Sequence, residues 1–468
     1  MKYTSIRKIA FVAQLVVILS ASSLFADESA LTTKAIEQIR SSFKMDAHTR
    51  AMYNSITNND ISDLALNRDI LRQHNEIFSH KIKTKGITDQ KSSGRCWLFA
   101  GLNIMRPAVI EKYNLKSFEF SQIYLTFWDK MEKANTFLER MIEFRDRGLL
   151  DREMVMLLRM PIMDGGYWEN VVDLIQKYGA VPKEIMPETN SSENTRLMNS
   201  VMSQKLRSDA VKLRKMHQEK KSVKKLYAEK KKMLAEIYRM LVMNLGEPPT
   251  EFAWRFEDQN SVVSEMRSYT PKGFFKDFVG VDLNEYVNIF NDTTHKYDRH
   301  YQIRFSRNLY DGHDINYANI DVESLKYIAM KSILDDSPLL FAADVSYDQS
   351  RKLGIMADGL YDYDSIYNTD MSMTKAERAL YRNSVRNHGM AFVGVDVRNG
   401  KPVKWLVENS WGKDDGSDGY WTLYDKWFDI HVYNIIVKKK YVPEKVLKIY
   451  EQPAEILPPW DPMLQMVR

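Results

Sequence analysis

The chain has 468 residues, a net charge of +5 at pH 7 and a single cysteine. Hydrophobic residues make up 44% of it, which is enough to bury a large core, and the length alone would suggest two or three domains. The small net charge gives no global nucleic-acid signal, and one cysteine excludes a disulfide within the chain. No cluster of His, Cys and Asp has zinc-like spacing, so the sequence implies no metal.

The first 26 residues have the pattern of a secretory signal peptide. Residues 1–8 carry positive charge, residues 9–19 are almost entirely apolar, and small residues precede a predicted cleavage site after Ala26. The apolar run is too short for a comfortable transmembrane span, and no cysteine near the cleavage site offers a lipid anchor. We therefore predict export to the periplasm or the extracellular space. The alternative is an amphipathic start of a cytosolic protein.

A mainly helical region predicted over residues 35–60 precedes the most informative stretch of the chain. Cys96 is followed by a tryptophan and an apolar run, which predicts a helix over residues 94–113 that starts close to the thiol. Unpaired N–H groups and the dipole at a helix N-terminus can favour a thiolate. Gln90 can bring a side-chain amide near the sulfur as an oxyanion donor. These features predict an activated nucleophile, whereas a lone cysteine without them is usually a small buried hydrophobe.

The predicted helical half continues over residues 137–160 and 168–178, and a strongly charged helical region follows at 193–245. Lysines between positions 220 and 232 alternate with apolar residues at helical spacing. Such a face is most often simply solvated, but basic residues on one helix face can also neutralise phosphates. Nucleic-acid binding is therefore a second hypothesis, which salt-dependent DNA retention by a Cys96→Ala variant would support.

The second half of the chain is predicted to be rich in strands, over residues 339–345, 391–395, 405–407, 420–423 and 432–437. His388 starts one apolar run, and the following predicted strand ends in Asn409. A cysteine peptidase needs a base for the thiol proton and a third group that orients this base. Alone, His388 would more often be structural and Asn409 a turn former. Together with Gln90 and Cys96, they predict a Cys-His-Asn catalytic group.

These residues resemble the papain-like cysteine peptidases in order and local motif, through Gln90, Cys96-Trp97, His388-Gly389 and Asn409-Ser410-Trp411-Gly412. Two features depart from the papain signature. Ser93 and Arg95 replace its usual residues before the nucleophile, and His388 follows Cys96 by 292 positions. Both features are similar to the bleomycin hydrolase/aminopeptidase C branch, which has Ser-Gly-Arg-Cys-Trp-Leu-Phe-Ala and a large insertion between nucleophile and base.

The resemblance covers nearly the whole mature chain and implies an α+β papain-like fold with a helical half and a β-barrel-like half. Similar segments occur at residues 118–124, 127–130, 164–168, 178–182, 244–249, 404–412 and 457–463. It implies one peptidase unit over residues 27–468, without an independent domain boundary. Its predicted parts are a helical half with the nucleophile at about 75–190, a mainly helical insertion at about 191–335, a β-half with His388 and Asn409 at about 336–445, and a C-terminal arm at 446–468.

The resemblance also implies an activity, namely a thiol aminopeptidase that cleaves near the free N-terminus of peptides without a metal or organic cofactor. Cys96 would be the nucleophile and His388 the base, oriented by Asn409. Gln90 and the Cys96 N–H would stabilise the oxyanion. The resemblance also implies a homohexamer. The alternative function, nucleic-acid binding, would then be that of a hexameric nucleic-acid-binding protein with secondary peptidase activity. A structural protein with a decayed site is disfavoured, because all four catalytic positions carry competent residues.

Substrate binding is expected from the glycine pair Gly165 and Gly166, whose backbone would pair with the peptide. Trp411 is also expected among the substrate-binding residues, and it would shield the Asn409–His388 contact from water. In the resembled branch, the C-terminal arm lies in the cleft and its terminal carboxylate holds the substrate's free amine. This role would fall to Arg468, or to Val467 once the last residue is removed. A papain-like endopeptidase is the alternative if the arm does not occupy the cleft.

Overall fold

The computed structural model describes residues 29–464, which divide into two compact units. The described part of the smaller unit consists of residues 29–66 and Tyr361–Thr369, and that of the larger unit of Asn67–Leu360 and 370–464. The predicted signal peptide, residues 1–26, lies outside the described residues, as do Val467 and Arg468. None of the helices formed by residues 29–464 is long and apolar enough to cross a membrane.

The smaller unit is helical, with helices at Thr33–Ser42, Ala47–Ile56, Ile61–Ala65 and Tyr363–Tyr367. The first two begin where the sequence provides a capping side chain. Thr32 accepts a hydrogen bond from the Ala35 N–H at 3.2 Å, and Asp46 accepts one from the Thr49 N–H at 2.7 Å. Such caps satisfy backbone donors that have no partner within the helix.

The helical half of the larger unit contains helices at Arg68–Gln73, Cys96–Asn103, Arg106–Lys112, Gln122–Glu143, Arg152–Arg159 and Trp168–Tyr178. The single helix expected over 94–113 is thus two helices. Pro107 lies in the first turn of the second one. A proline is tolerated there because the first N–H groups of a helix have no intrahelical partner. The proline therefore marks where the second helix begins.

The charged region contains the short helix Asn190–Glu193 and two long helices, Thr195–Gln218 and Val223–Leu245. The long helices pack on each other and on Gln122–Glu143 through residues such as Leu206 and Ile237. Two lysines between positions 220 and 232 form ion pairs in the second long helix, Lys230 with Glu139 and Lys232 with Glu229. Part of the lysine-rich face is therefore neutralised within the protein.

Most strands of the larger unit join one mixed sheet. Its order is Glu455–Leu457, Arg299–Ile303, Ile315–Asn319, Tyr286–Phe290, Val432–Lys438, Leu339–Ala343, His388–Arg398, Lys401–Glu408, Tyr420–Tyr424, Ile355–Met356 and Gln349–Ser350. His80–Lys81 also pairs with His388–Arg398, and Phe252–Trp254 forms a separate hairpin with Arg267–Tyr269. The remaining elements of the larger unit are helices or single helical turns, at Pro271–Gly273, Phe274–Val279, Leu283–Glu285, Val322–Leu334, Lys375–Leu380, Asp425–His431, Lys439–Tyr441, Glu444–Leu447 and Lys448–Glu451.

The insertion expected to be mainly helical over 191–335 contains the two long helices and, towards its end, the helix Val322–Leu334, but it also contains strands. Its second part supplies the strands Tyr286–Phe290, Arg299–Ile303 and Ile315–Asn319 to the large sheet. These strands are short and mostly buried, so the apolar and polar residues do not alternate in a way that indicates a strand. The insertion therefore extends the sheet that carries His388.

The central strands bury both faces, which positions the sheet against the nucleophile helix. Leu340 and Ala391 pack in the core that contains Leu98 of the Cys96–Asn103 helix. The next residues along these strands, Phe341 and Phe392, stack on the opposite face at a ring distance of 3.7 Å. Because side chains alternate along a strand, each strand contributes to both cores. This two-sided burial explains the nearly continuous apolar run after His388.

Candidate active site

Cys96 is the first residue of the Cys96–Asn103 helix and borders a mostly apolar cavity next to the sheet. The preceding residue, Arg95, makes no capping hydrogen bond with its side chain. Instead its guanidinium is buried, pairs with Glu188 at 2.9 Å and donates to the Ser93 hydroxyl at 2.9 Å. Arg95 thus fixes the loop before the helix, and the N–H groups of the first turn remain free of a side-chain cap. As a whole residue, Cys96 is half-buried.

His388 and Asn409 meet because their strands are neighbours in the sheet. The His388 Nε2 lies 2.8 Å from the Asn409 Oδ1, which also accepts the Ser410 N–H at 2.8 Å. The Asn409 side chain is therefore fixed at the end of its strand, with the residue 1% exposed. A hydrogen bond between Nε2 and an amide oxygen sets the proton on Nε2 and leaves Nδ1 as the imidazole base.

Gly389 lets the His388 strand approach the nucleophile helix closely. A Cβ at position 389 would lie only 3.4 Å from the Trp97 Cα and 3.8 Å from the Cys96 carbonyl carbon. Cys96 and His388 both line the same cavity. The strand and the helix N-terminus therefore bring the predicted nucleophile and base to one wall of the cavity, although they are far apart in the sequence.

Trp411 stacks on the His388 imidazole, with ring centroids 4.6 Å apart and an angle of 26° between the planes. The Arg351 guanidinium lies 4.6 Å from the centre of the Trp411 ring on a cation–π contact and pairs with Asp415. This stack covers one face of the imidazole. The residue does not line the cavity.

Hydrogen bonds fix Gln90 through its backbone N–H and through both atoms of its side-chain amide. Its N–H donates to the Ser410 carbonyl at 2.8 Å, and its Oε1 accepts the Ser410 hydroxyl at 2.7 Å. Its Nε2 donates to the Ser93 carbonyl at 2.5 Å. An amide nitrogen has two hydrogens, so one of them is left for a group in the cavity that Gln90 lines. The segment before the nucleophile is thereby tied to the segment that carries Asn409.

Burial dominates the protonation of both Cys96 and His388. It raises the pKa of the Cys96 thiol above its ordinary value, although the N–H groups of Gly389, Trp97 and Cys96 itself act in the opposite direction. Burial also lowers the pKa of His388 to about 4, against the effect of its hydrogen bond to Asn409. The uncharged thiol and imidazole are therefore favoured in the free protein. The sequence had suggested that the helix N-terminus favours a thiolate, but desolvation outweighs that effect here.

The glycine pair lies against the nucleophile helix. A Cβ at Gly166 would come within 2.6 Å of the Trp97 ring, so no larger residue fits. The Trp97 Nε1 donates to the Asp164 carbonyl at 2.8 Å, and the Lys133 Nζ donates to the Gly165 carbonyl at 2.7 Å. Both glycines line the cavity. These contacts hold the backbone expected to pair with substrate.

A buried charge cluster behind the glycine pair did not follow from the sequence. The Lys130 Nζ pairs with Asp164 at 2.7 Å, and the Lys133 Nζ pairs with Asp129 at 2.6 Å. Burial acts to raise the pKa of Asp164, but Lys130 and three hydrogen bonds lower it overall, whereas burial lowers the pKa of Lys133 to about 8. The sequence signal for this cluster is the presence of Lys130 and Lys133 among the apolar residues of the Gln122–Glu143 helix.

The cavity has a volume of about 270 Å³, and several polar residues on its wall were also missed. Besides the predicted residues, it is lined by Tyr167, Asn288, Arg386, Asn434 and the apolar Leu464. Asn288 and Asn434 come from the two paired strands Tyr286–Phe290 and Val432–Lys438. Polar residues inside otherwise apolar predicted strands could have indicated them.

Within residues 29–464, one group has the composition of a metal site, Asp292, His295 and Asp461. Its members bond to each other, with the His295 Nδ1 at 2.7 Å from the Asp292 Oδ2 and its Nε2 at 3.4 Å from the Asp461 Oδ2. The Tyr317 hydroxyl also donates to Asp292 at 2.9 Å. The group is explained by ion pairs and hydrogen bonds and does not line the cavity.

Comparisons with known proteins agree over most of the chain. The model of the Peptidase C1-like family matches residues 30–464. Aminopeptidase C of Listeria monocytogenes is 36% identical, over 93% of this chain and 99% of its own length. Human bleomycin hydrolase is 34% identical, over 93% of this chain and 98% of its own length. The crystal structure of PepW from Lactobacillus rhamnosis HN001 has 39% identity and a TM-score of 0.90, and the match covers 93% of this chain and 99% of PepW.

Proposed function

Because this chain belongs to the Peptidase C1-like family and is a cysteine aminopeptidase, we propose that Cys96, His388 and Asn409 form its catalytic triad. The observation that supports this most directly is the 2.8 Å hydrogen bond from His388 to Asn409 beside the cavity that Cys96 borders. It leaves the His388 Nδ1 free to accept the thiol proton. Asn409 is then an orienting residue, and Trp411 covers the imidazole.

The reaction begins with the uncharged thiol and imidazole that burial favours. The Cys96 sulfur attacks the scissile carbonyl carbon while its proton passes to His388, which forms an imidazolium. The oxyanion accepts hydrogen bonds from the Gln90 amide and the Cys96 N–H. As the C–N bond breaks, His388 returns the proton to the leaving amine and a thioester remains. Water, deprotonated by His388, then attacks the thioester and releases the carboxylate product and the Cys96 thiol.

Iodoacetamide labelling tests the assignment of the nucleophile. Because Cys96 is the only cysteine, inactivation should follow the alkylation of Cys96 one to one when peptide mass spectrometry and turnover are measured on the same samples. A saturating substrate peptide should slow both. Complete alkylation of Cys96 with full remaining activity would contradict the proposal.

The acid limit of activity should reflect His388. Its lowered pKa, about 4, keeps the imidazole neutral and able to accept a proton down to that pH. We expect kcat/KM to persist at pH 5 and to fall as His388 is protonated near pH 4, whereas an ordinary histidine would lose half of its base form at about pH 6.5. The positive charge of Arg351 contributes to the lowering. Arg351→Gln should therefore shift the acid limb to higher pH, and an acid limb near pH 6.5 in the unmodified protein would refute this account.

We further propose that the C-terminal segment restricts the enzyme to peptides with a free N-terminus. Leu464 lines the cavity beside Cys96 and is only 8% exposed, so the described end of the chain already occupies part of the cleft. A chain segment in this place excludes longer peptides on the N-terminal side of the scissile bond. The terminal carboxylate would then pair with the substrate's α-ammonium.

We also propose that the protein is exported and that its mature chain forms a hexamer. The leader pattern over residues 1–26 supports secretion, and protein from native cells should begin at or near Asp27 by N-terminal sequencing. The two long helices over residues 195–245 offer surface for subunit contacts, which supports a hexamer of the mature chain. A retained Met1 in a cytosolic fraction would refute export, and a monomer by light scattering at micromolar concentration would refute the hexamer.

A further inference from the structure

The C-terminal segment over residues 460–464 is held by contacts outside the cavity. The Arg382 Nη2 donates to the Trp460 carbonyl at 3.1 Å, and the Arg152 guanidinium lies 3.8 Å from the centre of the Trp460 ring. The His295 imidazole lies 3.4 Å from the Asp461 carboxylate. These contacts fix where the segment approaches the cavity.

A further contact comes from the cavity wall itself. The Arg386 Nη2 donates to the Met463 carbonyl at 3.1 Å, directly before Leu464. Arg386 is 5% exposed, lies two positions before His388 and lines the cavity. Arg152, Arg382 and His295 do not line it. Among these contacts, the one from Arg386 therefore decides where the segment lies next to the reacting groups.

The guanidinium of Arg386 is oriented by a chain of hydrogen bonds across two strands. Its Nη1 donates to the Asn434 Oδ1 at 3.0 Å, and the Asn434 Nδ2 donates to the Asn288 Oδ1 at 2.9 Å. The Asn288 Nδ2 in turn donates to the Glu169 Oε1 at 2.9 Å. Because each amide is fixed at both ends, the direction of the Arg386 donors is set before any substrate binds.

Aromatic rings hold the same guanidinium in its plane. It lies 4.9 Å from the centre of the Tyr167 ring and 4.8 Å from the centre of the Phe290 ring. Amide and carbonyl oxygens and aromatic rings of the described residues lie around the Arg386 guanidinium. Because Arg386 is only 5% exposed, its hydrogen bond to the Met463 carbonyl is charge-assisted and largely dehydrated.

We propose that Arg386 is the positioning residue that fixes the C-terminal segment in the active-site cavity and so selects peptides with a free N-terminus. This inference rests on the proposed function, in which the segment closes the cleft. Arg386 acts through the Met463 carbonyl and touches no reacting atom. Its side chain contributes to specificity through the position of Met463 and Leu464.

The test compares the turnover of one peptide with a free and with a blocked N-terminus, in the unmodified protein and in Arg386→Met. Methionine keeps much of the side-chain volume but donates no hydrogen bond. Losing one charge-assisted hydrogen bond should weaken the docking of the segment by roughly 10- to 100-fold. We expect the ratio of blocked to free turnover to rise at least roughly tenfold, with Arg386→Lys in between because lysine retains the charge.

Truncation separates this inference from the proposed function. In a protein lacking residues 464–468, Arg386→Met should leave the ratio unchanged, because the segment it positions is shortened. If truncation raises the ratio but neither Arg386→Met nor Arg386→Lys does so in the full chain, Arg386 does not position the segment, and the proposed function stands. If truncation itself leaves the ratio unchanged, the proposed role of the segment fails and this inference fails with it.

A matched control distinguishes positioning from general loss of stability. Arg214 also donates to backbone carbonyls, those of Phe144 at 3.3 Å and Arg147 at 2.9 Å, but does not line the cavity. Arg214→Met should leave the ratio unchanged. Should Arg386→Met fail to fold, Asn434→Leu removes the acceptor that orients Arg386 and should raise the ratio in the same direction. An unchanged ratio in folded Asn434→Leu and Arg386→Lys would overturn the inference.

Discussion

Replacing Cys96 with alanine is expected to abolish peptide hydrolysis, with a loss of kcat of at least about 10⁴-fold. In the proposed mechanism the thiol supplies the attacking sulfur, and Cys96 is the only cysteine of the chain. Cys96→Ser should be nearly as inactive, because a buried hydroxyl is a much weaker nucleophile than a thiol. Turnover of a fluorogenic aminoacyl peptide measures the loss, and thermal unfolding checks that the variants are folded.

The partners of Cys96 should rank by the step in which each takes part. His388→Ala removes the group that we propose carries the proton in both half-reactions, so its effect should approach that of Cys96→Ala. Asn409→Ala removes only the acceptor that holds the imidazole at 2.8 Å. In a well-studied serine-peptidase triad the orienting residue matters roughly 50- to 100-fold less than the nucleophile, and we expect a similar gap. Full activity in Cys96→Ala would end the cysteine-peptidase mechanism, and equal losses in all three variants would contradict the ranking.

Deleting residues 464–468 should convert the enzyme from an aminopeptidase towards an endopeptidase. Leu464 is buried in the cavity, and its removal opens the side of the cleft that precedes the scissile bond. The deletion also removes the terminal carboxylate that would pair with the substrate's α-ammonium, a pairing that counts for more in a partly dehydrated cleft than at an exposed surface. We therefore expect weaker cleavage of free N-terminal residues and new cleavage of N-blocked peptides.

A shorter deletion provides the control for this prediction. Removing Arg468 alone leaves Val467 as the terminal carboxylate, and in the resembled branch the enzyme itself can remove its last residue. The des-Arg468 protein should thus retain the preference for free N-termini. A panel of matched peptides with free and blocked N-termini, read by mass spectrometry, distinguishes the two activities. If the protein lacking residues 464–468 keeps the original preference, the arm does not control specificity.

The sequence alone was sufficient for the family and the fold class. The motifs around Cys96, His388 and Asn409 predicted the aminopeptidase C/bleomycin hydrolase branch and its α+β papain-like fold, and the comparisons confirm both. These motifs can be recognised in the sequence because each depends only on residues that are adjacent along the chain. A helix start, an apolar strand and a turn after a strand all leave local patterns. The assignment of catalytic roles to these residues remains a prediction.

The tertiary structure decided how the insertion folds and how the reacting groups are protonated. The strands within residues 286–319 pair with each other, but they join the large sheet through Val432–Lys438, which lies more than a hundred positions further along the chain. No local pattern in the sequence indicates this distant pairing. A helix N-terminus at Cys96 could be read from the sequence, but the extent of its burial could not. Since desolvation depends on every element packed around the site, the raised thiol pKa and the lowered His388 pKa emerge only in the folded protein.

The charged and polar side chains that shape the cleft also depend on tertiary structure. Arg386, Asn434 and Asn288 come from three separate segments, and no local pattern links them before the strands pair. The same holds for Lys130 and Asp164, which meet across a loop behind the glycine pair. Short motifs in the sequence thus predict which residues have the chemistry of a cysteine peptidase, because each motif depends only on neighbouring positions. Only the fold decided which buried groups position the peptide and the C-terminal segment, because hydrogen bonds and burial arise from contacts between distant parts of the chain.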